Sequence, residues 1–123
     1  MSSDPRHVLG RLGEQLALEH FERLGFVLLA RNHRTRFGEL DLVLHDGRTL
    51  VFAEVKTRRA TVGAAPWDAL DERKRRQVRD MARAYLADVP DRPPATEIRF
   101  DAVGVLIDPR GRLVRLDHLE AAF

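Results

Sequence analysis

The dipeptide Asp46-Gly47 separates two apolar segments, Gly38–Leu44 and Thr49–Val55, and no other feature restricts the folding of this chain as tightly. An Asp-Gly pair between such segments is a strong hairpin signal, because glycine readily takes the positive φ that tight hairpin turns require. Read as a two-residue loop, it pairs His45 with Arg48, Asp41 with Phe52 and Glu39 with Glu54. Side chains alternate between faces along a strand, so this register gathers Glu39, Asp41, Glu54 and Lys56 on one face. Any loop with an even number of residues keeps that grouping, whereas a slip of one residue separates Asp41 from Glu54.

The flanking segments complete an α/β reading. Asp4-Pro5 is a helix start, a capping side chain before a proline at the first helical position. Val8, Leu9, Leu12, Leu16, His20 and Leu24 recur at helical spacing, and Gly25 is a natural stop, giving a helix over about residues 5–24. Phe26–Ala30 reads as a short first strand and Thr57–Pro66 as a loop. Trp67–Val89 reads as a second helix with Leu70, Val78, Met81, Tyr85 and Val89 as its apolar stripe. Trp67, beside Pro66, reads as a packing anchor. Asp91-Arg92-Pro93-Pro94 breaks the chain before an alternating strand, Glu97–Ile107, and a turn at Pro109-Arg110-Gly111 leads to a last strand at Leu113–Leu116. A helix between strands is a crossover, so the fourth strand should lie parallel to one of the first three, with right-handed connection. The expected architecture is a mixed sheet flanked by helices, in one domain spanning residues 1–123.

Composition removes several chemistries. Cysteine is absent, which excludes disulfides, thiol catalysis and thiolate zinc sites. Serine occurs only at Ser2 and Ser3, so a rigidly held serine nucleophile is not expected. The histidines lack metal-binding spacing, and neither G-x-G nor G-K occurs, so Rossmann and P-loop phosphate cradles are missing. The longest apolar run, Ala102–Ile107, is far short of the roughly 20 residues that a membrane span needs. Met1–Arg6 has no apolar signal-peptide core, so a cytoplasmic protein without a membrane partner is expected. What remains for chemistry is carboxylates, two lysines and 19 arginines.

A pI near 9.6 overstates the basicity, since the net charge at pH 7 is only +2. Distribution says more. From Lys56 to Arg83 there are nine basic and four acidic residues, a balance of +5. Such a segment suits a polyanion, although a solvated helix surface gives the same pattern. Arg76, Arg79 and Arg83 recur on one helical face, where they suit a phosphate backbone. Lys74 instead falls on the apolar stripe and must extend to water or meet a partner such as the carboxylates.

Clustered carboxylates repel and raise each other's pKa, a cost that a divalent cation reverses. Mg²⁺ accepts one or two carboxylates plus water and substrate phosphate, and an adjacent lysine stabilises developing charge. The pattern D-x12-E-x-K of Asp41, Glu54 and Lys56 therefore meets the needs of metal-assisted phosphodiester cleavage. A half-exposed strand with a surface ion pair would carry the same E-V-K triplet. Glu14 lies at the border of the first helix's apolar face, either aimed at a cleft or in a structural ion pair. Asp101 reads as a structural partner of Arg99 or Arg34, His33 and His118 read as structural hydrogen-bonding groups, and the role of Glu39 is open.

Gly38-Glu39-Leu40-Asp41-Leu42-Val43, followed by Val51-Phe52-Ala53-Glu54-Val55-Lys56-Thr57-Arg58, resembles the YraN family of small bacterial proteins. Gly13-Glu14, Asn32-His33-Arg34, Lys74, Arg99-Phe100-Asp101 and His118 with Ala122-Phe123 extend the resemblance over nearly the whole chain. That family is described as a predicted endonuclease similar to archaeal Holliday junction resolvases, within the PD-(D/E)xK superfamily. Here Leu40 stands before Asp41, in place of the proline of that signature. The resemblance implies a restriction-endonuclease-like αβββαβ core. It implies that Asp41, Glu54 and Glu14 are acidic site residues that hold Mg²⁺ or Mn²⁺ with the Val55 carbonyl, and that Lys56 is the catalytic lysine. Arg58, Lys74, Arg76, Arg79 and Arg83 are then candidate nucleic-acid contacts. Structured or branched DNA is the expected partner, and a two-fold junction suits a homodimer by symmetry. Metal-dependent endonuclease and nucleic-acid-binding module with little catalysis both remain open at this point. The intact Asp41, Glu54 and Lys56 weigh against a third reading, an interaction protein with a relic site.

Overall fold

The computed structural model describes residues 5–60 and 72–123. The elements run α1 (Pro5–Arg23), β1 (Val27–Thr35), β2 (Gly38–His45), β3 (Thr49–Arg59), α2 (Glu72–Asp88), β4 (Glu97–Ile107) and β5 (Leu113–Leu119). The five strands form one sheet in chain order. β1, β2 and β3 are antiparallel neighbours, β3 and β4 are parallel, and β5 returns antiparallel to β4. The expected mixed sheet and its crossover parallel strand are therefore present. Among the described residues, no helix is long and apolar enough to cross a membrane.

Strand alternation divides the core into two layers. Leu42, Leu44, Val51, Ala53, Val103, Val105 and Ile107 pack with Ala17, Leu18 and Phe21 of α1. Val43, Leu50, Phe52 and Ala102 pack with Val78, Met81, Ala82 and Tyr85 of α2. Helix α2 uses the expected stripe at Val78, Met81 and Tyr85. Helix α1 uses its expected stripe in part: Leu9, Leu12 and Leu16 pack against this core, Val8 and Leu24 are about half exposed, and the most deeply buried positions, Gly13, Ala17, Leu18 and Phe21, lie beside the stripe. The reason is steric. A Cβ at Gly13 would lie 1.8 Å from Thr57 Oγ1, so only glycine lets α1 rest on β3 there.

The hairpin register differs from the expected one. His45 pairs with Leu50 and Leu42 with Ala53, so residues 46–49 form a four-residue loop. Asp46 Oδ1 accepts hydrogen bonds from the N–H groups of Arg48 (3.0 Å) and Thr49 (2.7 Å), and Gly47 takes a positive φ of 97°. The Asp46 side chain thus closes a wider turn than a two-residue loop allows. The loop length is still even, so Asp41 and Glu54 keep a common side and now face each other at the next position of the register. The two-residue turn of the sheet is instead at Arg36-Phe37, between paired Thr35 and Gly38.

Three strands are longer than expected. β1 continues through Arg31–Thr35, where a sheet edge tolerates polar residues. β3 continues past Val55 because β4 offers a partner for every residue up to Arg59, which removes residues 57–59 from the expected loop. β5 extends to Leu119. Residues 61–66 of that loop and the expected start of α2 at Trp67 lie outside the described residues.

Candidate functional site

Strands β2 and β3 stop pairing beyond Leu42–Ala53, and Asp41 fills the gap with its side chain. Its Oδ2 accepts the Val55 N–H at 2.8 Å, so a carboxylate terminates the ladder. Glu54 meets Lys74 from α2, with Nζ 3.3 Å from Oε2. Lys74 also donates to Gln77 Oε1 at 3.5 Å. The lysine on the apolar stripe thus reaches the acidic pair, one of its two expected destinations.

The electrostatics of the pair follow from burial. Desolvation pushes the Asp41 carboxyl up to about 8, aided by the charges of Glu54 and Glu14 and opposed by the Val55 N–H and Lys74. Burial also raises Glu54, against the opposing pull of Lys74. Glu54 Oε1 is buried without a hydrogen-bond donor. Two ionised carboxylates only accept, so they interact favourably only with a proton or a cation between them. The orphaned oxygen and the raised Asp41 fit a site that takes one added positive charge. Among the described residues, no three His, Asp or Glu side chains form a group able to hold a metal ion by themselves. Two carboxylates plus water and a phosphate oxygen is nevertheless an ordinary Mg²⁺ environment.

Glu14 and Glu39 form a second acidic pair beside the first. With its amide nitrogen turned toward the acids, Asn32 donates to Glu39 Oε1 (3.1 Å) and to Glu14 Oε1 and Oε2 (3.2 and 3.1 Å). Asn32 has a φ of +53°, a conformation asparagine tolerates better than most residues. Burial raises the Glu14 carboxyl and the Asn32 bond opposes that rise. The expected common face for Glu39 and Asp41 is interrupted. Leu40 packs on the α2 side with Val43, whereas Leu42 packs on the α1 side. The alternation therefore breaks between Leu40 and Leu42, and Glu39 shares Asn32 with Glu14.

Lys56 is exposed two residues beyond Glu54, on the same side of β3, and Arg58 is half-buried two residues further on. The helical arginines divide. Arg76 is exposed. Arg79 reaches the Phe123 carbonyl at 3.3 Å and covers the Phe100 ring at 5.3 Å, so it helps to seat the C-terminus. Arg83 forms an exposed pair with Asp80 at 3.4 Å. Asp101 is fully buried and structural, as expected: Arg99 holds it with two bonds of 2.8 Å, and His118 Nε2 lies 2.8 Å away. His33 lies edge-on to Tyr85, with Nε2 3.7 Å from Asp88. Sequence reasoning gave Asn32 and Gln77 no role in the site. Gln77 carried a faint signal, three residues after Lys74 on the same helix, and Asn32 was marked only by the Asn32-His33-Arg34 motif of the resemblance, since a positive φ at asparagine has no local signature.

Fold and site together define a small α/β domain with a lysine-capped, half-buried acidic pair at the splayed end of a hairpin. The chain belongs to the uncharacterised protein family UPF0102, the YraN family, which it matches over residues 13–105. It is 44% identical to the UPF0102 protein of Frankia alni over 123 residues, covering 100% of both chains. It is 40% identical to that of Pelotomaculum thermopropionicum over 121 residues, 98% of this chain and 99% of the relative. A UPF0102 protein of Parafrankia is 47% identical over 116 residues, 94% and 95% of the two chains.

Proposed function

We propose that this protein is a Mg²⁺- or Mn²⁺-dependent endonuclease that hydrolyses phosphodiesters in structured or branched DNA, with a restriction-endonuclease-like fold. The observation that carries this reading is the half-buried Asp41–Glu54 pair, in which Asp41 is pushed up by burial and by the Glu54 charge and Glu54 Oε1 lacks a donor, followed along β3 by Lys56. Asp41 and Glu54 would hold the cation, with the Val55 carbonyl as a further oxygen ligand and Glu14 as an outer acid. A bound divalent cation supplies charge neutralisation and Lewis acidity at the scissile phosphate.

The chain's own residues do the remaining work. The Val55 N–H fixes the orientation of the Asp41 carboxylate. Lys74 holds Glu54 in place and limits its affinity for protons. The Lys56 ammonium donates to a phosphate oxygen or to the attacking water as negative charge develops, an interaction stronger in the transition state than in the bound substrate. Arg58, Arg76 and Arg83 supply further phosphate contacts.

The test is a panel of linear, single-stranded, flap and four-way DNA with Mg²⁺ or Mn²⁺. Wild type should cut at least one structured substrate, and Asp41→Ala should abolish cleavage. Lys56→Ala should slow cleavage by about 10² or more while weakening DNA binding far less. Equal cleavage by wild type and Lys56→Ala would refute the site assignment. The Lys74–Glu54 ion pair, which already neutralises one carboxylate, favours a second reading as a DNA-binding module with little catalysis. Binding without cleavage across the panel would establish that reading instead.

A further inference from the structure

We propose that the cleft between the β1–β2 turn and α2 seats an unpaired base of a DNA strand whose backbone continues to the Asp41–Glu54 pair. This rests on the nuclease reading and adds to it the feature that the substrate must present. The cleft has a volume of about 610 Å³; Arg34, Arg36 and Phe37 line it on one side and Arg83 on the other, with Asp80 and Asp88 along the helix.

Phe37 occupies the second position of a two-residue turn that is tightly braced. Thr35 Oγ1 accepts the Phe37 N–H (3.1 Å) and donates to the Gly38 carbonyl (2.8 Å). Phe37 is nevertheless 37% exposed, and the Arg36 guanidinium lies 4.7 Å from its ring centroid. An aromatic ring on a braced turn, flanked by guanidinium groups, is the arrangement that stacks bases without reading their identity. The two arginines that carry counter-charges do so in exposed pairs, Arg34 with Glu39 at 3.6 Å and Arg83 with Asp80 at 3.4 Å. Exposed pairs of this kind contribute little, so phosphates can replace the carboxylates at small cost.

The turn is also tied to the acidic pair. Gln77 Nε2 donates to the Phe37 carbonyl at 3.0 Å, Lys74 donates to Gln77 Oε1 at 3.5 Å, and Lys74 pairs with Glu54 at 3.3 Å. Gly38 makes this seat feasible: its φ is +137°, and a Cβ there would lie 2.8 Å from Gln77 Nε2. Three side-chain links thus set the position of the stacking ring relative to the carboxylates. A base in a blunt duplex is stacked and paired and is not available to Phe37, whereas an overhang, flap or junction arm offers one.

The test measures binding in EDTA, so that its outcome does not depend on cleavage. Anisotropy compares wild type, Phe37→Leu and Phe37→Trp on a blunt duplex and on the same duplex with a single-stranded overhang carrying 2-aminopurine. Wild type and Phe37→Trp should prefer the overhang and alter the 2-aminopurine emission. Phe37→Leu should lose about ten-fold in overhang affinity, lose the emission change, and bind the blunt duplex within about two-fold of wild type. Equal overhang binding by Phe37→Leu and wild type, or equal wild-type affinity for both duplexes, would overturn the proposal. Phe37-dependent overhang binding in a protein that cleaves nothing would remove the hydrolytic reading and leave this one standing. Cleavage combined with Phe37-independent binding would do the reverse.

Discussion

Asp41 holds its proton up to a pH of about 8, principally because it is buried and also because Glu54 and Glu14 lie near it. An exposed aspartate in the unfolded chain titrates near 3.9. Between those values the unfolded chain has lost the proton and the folded protein keeps it. The metal-free fold therefore loses stability as pH rises from about 4 to about 8, and the loss from this group levels off above that. Thermal unfolding in EDTA between pH 5 and 9 should show this decline in wild type relative to Asp41→Asn. Added Mg²⁺ should reverse it at pH 8 in wild type alone, since a cation replaces the proton the pair lacks. Parallel pH curves in the two proteins would show that Asp41 is not the group responsible. The meeting of Asp41 with Glu54 was legible in the sequence, because their spacing on two paired strands has few geometric outcomes. Asn32 and Gln77 were not, because each acts through a contact with another element, and such contacts leave no periodic trace.

At the scale of the element, the contact of α1 with β3 decides where Glu14 sits. Gly13 leaves no room for a methyl group against Thr57, whose Oγ1, Cβ and Cγ2 would all lie within 2.7 Å of an added Cβ. Gly13→Ala should therefore destabilise the fold by about 1–3 kcal/mol despite the better helix propensity of alanine. Thr57→Gly removes all three clashing atoms, so the double variant should recover part of that loss in urea unfolding. Additive losses in the double variant would locate the cost elsewhere. The existence of α1 and the packing of Leu9, Leu12 and Leu16 could be read from periodicity, but the row that approaches β3 most closely could not. Leucine spacing marks a stripe by hydrophobicity alone, whereas the closest row is chosen by how near two backbones can come. The same limit applied to the hairpin. Asp46-Gly47 announced a reversal, and the Asp46 side chain, by accepting two backbone N–H groups, widened it from two residues to four.

Across the whole molecule, one buried carboxylate joins the sheet to the chain's last residues. Asp101 on β4 accepts bonds from Arg99, His118 and the Ala121 N–H, and His118 reaches on to His20 of α1 at 3.0 Å. Burial alone would raise its pKa, but His118, Arg99 and the Ala121 N–H outweigh that and hold it below the usual carboxylate range. Asp101→Ala strands a largely buried Arg99 and His118, so it should cost about 3–5 kcal/mol in equilibrium unfolding. A loss under about 1 kcal/mol would mean that the network is dispensable. The sequence by itself determined the element order, the reversals around β2, the parallel crossover and the acidic pair. These depend on periodicity, turn residues and parity, which are properties of the chain read locally. The tertiary structure alone decided the hairpin register, the row of α1 that lies closest to β3, the bonding of Glu39 and Glu14 to Asn32, and the cleft beside Phe37. Each of these depends on atoms that are distant in the chain competing for the same space or the same proton, and that competition exists only once the layers have closed.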